Sequence, residues 1–263
     1  MKAMKPNNQP TTLITLGPQT SNTRRRLLRG ALSLGAGLAL LGAAACGLVS
    51  TNILDKTFEL SAQKFSLDFG TTTGKVPTVA CTVAGDPKCT ALASQVSAAG
   101  GTATGICDTT AKSCSAEIMV TKSYPVTLSN DPSFAQTIGS KAISIVKAIE
   151  LSYGASNMST VNLPEMMLYI GPDTAKLPTD KDVYLIDKIP AITKGTVIPD
   201  KSRKIIVQAG SPAFERFSYY LSNPKVPFLL MLSGKPVVKA TDDLPSGKVD
   251  VTITPAFTVG LPL

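Results

Sequence analysis

The sequence predicts a mainly β protein: an antiparallel β-sandwich with one short amphipathic helix and a disulfide-stapled loop excursion. Three observations predict it. Short runs alternate apolar and polar residues with period two, most cleanly over residues 248–261. Turn signals rich in Gly and Pro separate these runs at short intervals, the habit of sandwiches and barrels. No strand–helix–strand repeat of about 30 residues occurs, which argues against a parallel sheet.

Residues 1–45 read as an export segment. Lys2, Lys5, Arg24, Arg25, Arg26 and Arg29 stand in residues 1–29 without one acidic residue, and residues 30–45 are apolar and uncharged. A basic region, an apolar run and a small-residue cleavage site make a secretory signal peptide. The apolar run is shorter than the roughly 20 residues a spanning helix needs, so an uncleaved anchor is the lesser reading. Thr23-Arg24-Arg25-Arg26-Leu27-Leu28-Arg29 resembles the twin-arginine export motif through Arg24 and Arg25, which implies a cargo exported already folded. An ordinary secretion signal with three arginines is the alternative.

Cys46 follows Ala43-Ala44-Ala45 directly, and this resembles the box of bacterial lipoproteins, in which the cysteine becomes the first mature residue and carries acyl groups. The box prefers Leu where Ala43 stands, and Ala43 and Ala45 also suit a general signal peptidase. Buried acyl chains contribute about 0.8 kcal/mol per CH₂, and stable anchoring needs more than one chain. Gly47 and not Asp follows the cysteine, so the resemblance implies sorting to the outer membrane.

Cleavage before Cys46 leaves 218 residues, enough for one sandwich with a real core. Six of the 26 basic residues lie in the export segment and all 18 acidic ones lie after it. The remainder therefore carries 20 cations against 18 anions. The basic pI says nothing about partners, and the footprint of a nucleic-acid binder is missing. With Cys46 acylated, Cys81, Cys89, Cys107 and Cys114 remain, an even number in an oxidising compartment. Their spacings are wrong for zinc and the chain has no His, so two disulfides are expected and no metal. Three pairings are open; the simplest is local, Cys81 with Cys89 and Cys107 with Cys114.

In chain order, residues 46–55 read as a lipidated tether and 56–263 as one domain. Phe58 and Leu60 share one face, and Phe65, Leu67 and Phe69 share another, which predicts two strands with a bend near Ser61-Ala62. Residues 76–79 suggest a short strand. Residues 81–114 are rich in Ala, Gly, Thr and Ser with almost no large apolar residue. They form the stapled excursion, with a short helix over 91–99. Residues 116–128 return to strand, with Pro125 indicating an edge or a bend. Residues 131–140 suggest a helical turn. Residues 142–153 favour a long strand with a bulge near Val146-Lys147, although Ile145 and Ile149 also suit a helix. Strands follow over 161–170, interrupted by Pro164, over 182–189 and over 204–209. Residues 211–221 make the best helix, with Ser211 as N-cap, Pro212 in the first turn and Phe214, Phe217 and Leu221 on one face. Residues 226–233 read as a central strand, and 236–240 and 248–261 as two more.

Beyond the signal, Phe65-Ser-Leu-Asp-Phe-Gly70, the cysteine-rich insertion, Leu163-Pro-Glu-Met-Met-Leu-Tyr-Ile170 and Pro245-Ser-Gly-Lys-Val-Asp-Val251 resemble exported lipoproteins of gliding soil bacteria. That resemblance implies no activity. A weaker likeness is to the small β-sandwich of the water-stress proteins.

The lack of His removes Ser-His-Asp, Cys-His and the usual metal sites from this chain. Ser61-Ala-Gln-Lys64 and Ser222-Asn-Pro-Lys225 match the spacing of serine acyltransferases, but the supporting K-T-G and S-D-N motifs are missing. Glu165, Asp180, Asp182, Asp187, Asp242, Asp243 and Asp250 are the acidic candidates, read as solvated turn residues before a catalytic pair. Met166, Met167 and Met231 read as core before an adaptable apolar site. Asn157-Met-Ser159 is a formal glycosylation sequon to which no role is given. The expected function is therefore a non-enzymatic, membrane-anchored envelope lipoprotein with a structural or binding role. It has no cofactor, a possible envelope protein partner and an unknown ligand. A carrier of an apolar ligand or lipid is the alternative, and an enzyme using paired carboxylates comes third. An apolar cavity of several hundred Å³ favours the carrier, and two buried carboxyls across a cleft favour the enzyme.

Overall fold

Strands and helices follow one another in a computed structural model that describes residues 53–97 and 102–263. They are β1 (Ile53–Glu59), β2 (Gln63–Asp68), α1 (Pro87–Ser97), β3 (Thr102–Asp108), β4 (Ser113–Val126), α2 (Pro132–Thr137), β5 (Ile145–Asn157), β6 (Met166–Pro172), β7 (Tyr184–Ile189), β8 (Val197–Ile206), α3 (Pro212–Ser222), β9 (Phe228–Gly234), β10 (Val237–Lys239) and β11 (Lys248–Pro262). Two antiparallel sheets result. One runs β1-β11-β5-β8 with β2 also on β11; the other runs β10-β4-β9-β6-β7 with β3 also on β4. The mainly β, antiparallel class is as expected.

β11 organises the first sheet. Val249, Val251, Ile253, Phe257, Val259 and Leu261 are all buried, as the alternation predicted. β5 pairs along one side of β11, and β1 and β2 divide the other side between them. Pro255 stands mid-strand, where a missing N–H usually breaks a ladder. Its carbonyl accepts from Leu60 N at 2.8 Å. A strand residue aims N–H and C=O the same way, so the missing donor also faces the break between β1 and β2. There Ser61 N donates to Asp131 Oδ2 at 2.8 Å, tying the bend to the cap of α2. The expected bulge in β5 falls at Lys147: Thr258 pairs with Ala148, and Val259 with Val146.

Asp131 caps α2, accepting from Ser133 N and Phe134 N, and Ser211 caps α3, accepting from Phe214 N. A chain of aromatic rings closes this end of the sandwich. Phe58 lies 5.5 Å from both Phe134 and Phe257, Phe217 lies 5.7 Å from Phe257, and Tyr220 stacks on Phe228 at 4.6 Å.

Several expectations need correction. The tether is shorter than residues 46–55, because Ile53 to Asp55 already pair with β11. Residues 76–79 form no strand; Lys75 and Ala80 make isolated bridges. β8 begins at Val197, ahead of the expected 204. The expected helices over 91–99, 131–140 and 211–221 are present as α1, α2 and α3, with α1 beginning earlier, at Pro87. The excursion is stapled as expected, but it is more ordered than a loop. α1 buries Cys89, Leu92, Ala93 and Val96, and β3 pairs with β4 inside the second sheet. Its small residues permit close approach: a side chain at Gly105 would collide with the backbone of Cys89. The local disulfide pairing is wrong. Cys81 bonds Cys107 and Cys89 bonds Cys114, across separations of 26 and 25 residues. The hairpin puts Cys107 directly opposite Cys114, so each is left to reach a different partner, one before α1 and one within it. These are long loops, and each closure stabilises the fold by about 3 kcal/mol on chain-entropy grounds. Replacing Cys89 and Cys114 together with Ala is expected to lower the unfolding free energy by that amount in urea titration. An unchanged midpoint would contradict the stapling role.

Candidate functional site

The β6–β7 connection, residues 173–183, folds back over the outer face of the second sheet. Asp180 Oδ2 holds its turn by accepting from Lys176 N at 2.7 Å and Leu177 N at 3.0 Å. Those two amides keep the Asp180 carboxyl below the ordinary carboxylate range. Val183 seats against Gly171, where any Cβ would meet its methyl group. Under this cover Leu229 and Met231 on the outer side of β9 form a small second core with Ala175, Tyr169 and Val183. β9 is therefore buried on both faces, which explains its unbroken apolar run Phe228–Leu232.

Beside the cover, the same outer face is left open as a groove of about 470 Å³. Its floor comes from Met119 on β4, Ser233 on β9, and Met167 and Tyr169 on β6; Pro164, Leu177 and Pro178 line its sides. Met119 and Leu177 remain nearly half exposed, at 46% and 49%. Large apolar side chains left exposed in a concave setting mark a binding surface more than a scattered surface residue does. Tyr169 OH donates to Met167 Sδ at 3.1 Å. The charges at the rim are already paired: Glu165 with Lys188 at 2.7 Å, and Lys235 with Glu117 at 3.1 Å. Glu165 lifts Lys188 above the ordinary lysine value.

The residues singled out from sequence distribute unevenly. Cys46, Arg24 and Arg25 lie outside the described residues. Cys81, Cys89 and Cys107 bring their sulfurs within 4.8 Å of one another, but disulfides occupy them and leave no thiolate for a metal. Met166 and Met231 are buried and structural, whereas Met167 lies in the groove. The acidic candidates are largely held in caps and ion pairs. Asp242 accepts from Lys239 N at 2.7 Å, and Asp187 accepts from Lys188 N at 2.8 Å. Asp182 takes a positive φ of 63° and meets Tyr184 OH at 3.4 Å. Asp243 meets Lys75 at 2.6 Å and Lys194 at 3.7 Å, and these ammoniums hold its carboxyl below the usual range. At Asp250, burial pushes upward, but Ser66 OH, Lys64 and Lys248 outweigh it and the carboxyl titrates low. The buried carboxylates among the described residues, Asp86 and Asp131, accept from the first amides of α1 and α2. In the serine–lysine pattern, Lys64 is paired with Asp250 at 2.9 Å, and Ser61 sits in the bend before β2.

Sequence reasoning missed Met119, Tyr169 and Leu177, which meet only through the β4–β9–β6 pairing and the fold-back of residues 173–183. It also gave no role to Asn157, which is fully buried. Its amide donates to Val161 O at 3.0 Å and Ile192 O at 2.9 Å, and its Oδ1 accepts from Ser159 N and Ser159 OH.

No family model matches this chain, and no curated protein is similar to it. Among solved structures, a mud crab dicistrovirus structure aligns over 96% of this chain and 91% of its own, at 10% identity and a TM-score of 0.27. A carbohydrate-binding module of the β-sandwich superfamily aligns over 80% of this chain and 57% of its own, at 9% identity and a TM-score of 0.20. Superpositions this loose carry no functional argument.

Proposed function

We propose that this protein is a cell-envelope lipoprotein, held by acyl chains on Cys46 at the outer membrane, whose sandwich binds and does not catalyse. The anchor rests on Ala43-Ala44-Ala45-Cys46 behind a twin-arginine-like signal containing Arg24 and Arg25. β1 opens at Ile53, so six residues, 47–52, separate the anchor Cys46 from the sandwich. At about 3.3–3.6 Å per residue they reach no more than about 25 Å, which keeps the domain close to the bilayer. The observation that carries the binding role is the apolar groove of about 470 Å³ on the second sheet. Its size falls within the roughly 300–1,000 Å³ of ligand sites. The same groove favours the second reading, a carrier of an apolar ligand or lipid. The near-neutral charge after residue 45 argues against a nucleic-acid partner.

Mass spectrometry of the N-terminal peptide from membrane-extracted protein tests the anchor. The expected result is a peptide beginning at Cys46 with acyl groups on its sulfur and its amine. An unmodified Cys46, or an intact residue 1–45 segment, would sink the anchor while leaving the groove to be tested separately.

A further inference from the structure

We infer that the groove on the second sheet takes the hydrocarbon tail of an acyl lipid, with the head group left outside, and that it excludes extended peptides. This rests on the reading of the groove as a binding site and names its occupant.

Three observations decide between a hydrocarbon and a peptide. First, the floor offers no sheet edge. At the groove β9 is hydrogen-bonded to β4 on one side and β6 on the other, β6 continues to β7, and Met119 of β4 pairs with Thr102 of β3. A peptide recognised by strand addition needs a free edge. Laid in this groove it would bury backbone N–H and C=O groups without partners, and each such group is unfavourable. A hydrocarbon chain brings none.

Second, the groove's polar side chains other than Thr179 are engaged. Ser233 OH is hydrogen-bonded to Thr121 OH at 3.1 Å, and Tyr169 OH donates to Met167 Sδ at 3.1 Å. Glu165 and Lys235 are each paired with an opposite charge on the protein. An occupant therefore meets no unpaired charge and little call for hydrogen bonding, so complementarity selects an uncharged apolar body.

Third, the lining is adaptable. Met119 and Met167 are unbranched thioethers, which remould around flexible chains, and both keep exposed surface at the site. Lys235 at the rim is placed beside the head group. A carboxylate there would compete for it with Glu117, across a solvent-exposed pair that is weakly held.

The chain contains no Trp, so an indole placed in the groove is a unique reporter. The test uses the full chain with Cys46→Ser, which removes any acyl chain of its own, and Leu177→Trp, at an exposed position. Tyr169→Trp serves as a second reporter that keeps an aromatic ring. Stearic acid brominated in mid-chain, and its glycerol ester, are added below their micellar concentrations. The expected result is saturable quenching of the indole by the brominated chains, with a midpoint at least about tenfold weaker in the Met167→Glu variant. Quenching by both probes shows that the tail alone is recognised. Quenching by the acid alone, lost with Lys235→Gln, identifies a free fatty acid as the source of the tail; both results support the inference. Lack of quenching with either reporter, or quenching indifferent to Met167→Glu, overturns it. If an uncharged apolar hexapeptide shifts the indole emission saturably while the brominated chains do not, the acyl inference falls and the binding reading stands. If neither class of probe binds, both fall.

Discussion

Asn157→Leu is expected to lower the unfolding free energy by about 2–4 kcal/mol: one buried amide left without a partner at about 1–3 kcal/mol, and two further hydrogen bonds lost at about 0.5–1 kcal/mol each. Asn157 closes β5 with its side chain fully buried. It supplies donors to Val161 O and Ile192 O and an acceptor to Ser159 N and Ser159 OH. Leucine matches its bulk and none of these bonds. Ser159 OH still donates to Val161 O at 3.2 Å and Leu163 N to Ile192 O at 3.0 Å, so the loss concentrates on Ser159 N. For a domain of this size the change corresponds to a fall in Tm of roughly 4–16 °C. Ser159→Ala should cost less, because Asn157 keeps both donors and the Ser159 amide and the loss falls on Val161 N alone. Paired thermal and urea unfolding checks this. A loss below about 1 kcal/mol for Asn157→Leu would mean that water or a backbone shift replaces the side chain.

Phe257→Ala is expected to destabilise the fold by about 3–5 kcal/mol, the range for emptying a buried aromatic site. Phe257 sits on β11 at 1% exposure. Its ring lies between Phe58, which touches α2 through Phe134, and Phe217 of α3, which touches β9 through Phe228. Removing it takes the middle from a chain of rings joining both sheets and two helices. The urea midpoint should fall with the slope unchanged, and Phe257→Leu should recover most of the loss by refilling the volume. A Phe257→Ala midpoint close to the parent would show that α3 collapses into the space, and would remove the ring chain as a source of stability.

Much of the fold is legible because period two reports which side of a strand meets the core. β11, the β1–β2 break at Ser61, the bulge at Lys147 and the caps at Asp131 and Ser211 all follow from local chemistry: alternation, a proline, a hydroxyl or carboxylate before a helix. β8 was legible only in its last three residues, from Lys204 to Ile206. Its first half pairs with Ala155 and Ser156 of β5 across a register break, and polar residues at Asp200 to Arg203 interrupt the alternation. The excursion 81–114 misled because its small residues signal poor burial in isolation. Packed between a helix and a hairpin, the same small residues allow contact close enough to bury Cys89, Leu92 and Val96. Of the groove, only Met167 and the rim residue Glu165 were nameable, since nothing local distinguishes Met119 or Leu177 from any other apolar surface residue.

The sequence by itself determined the mainly β antiparallel class, the inward faces of β1, β2 and β11, the capped helix Pro212–Ser222 and the parity that permits two disulfides. It also determined that the excess of positive charge sits in residues 1–29, which hold six basic and no acidic residues. The tertiary structure alone decided that Cys81 meets Cys107 and Cys89 meets Cys114, that residues 173–183 roof one face, and that Met119, Met167 and Leu177 converge on a groove. The physical reason is the same in each case. Alternation and capping are set by residues within a few positions of each other, whereas pairing partners and concave surfaces depend on which strands become neighbours, and that is settled by packing across the whole sandwich.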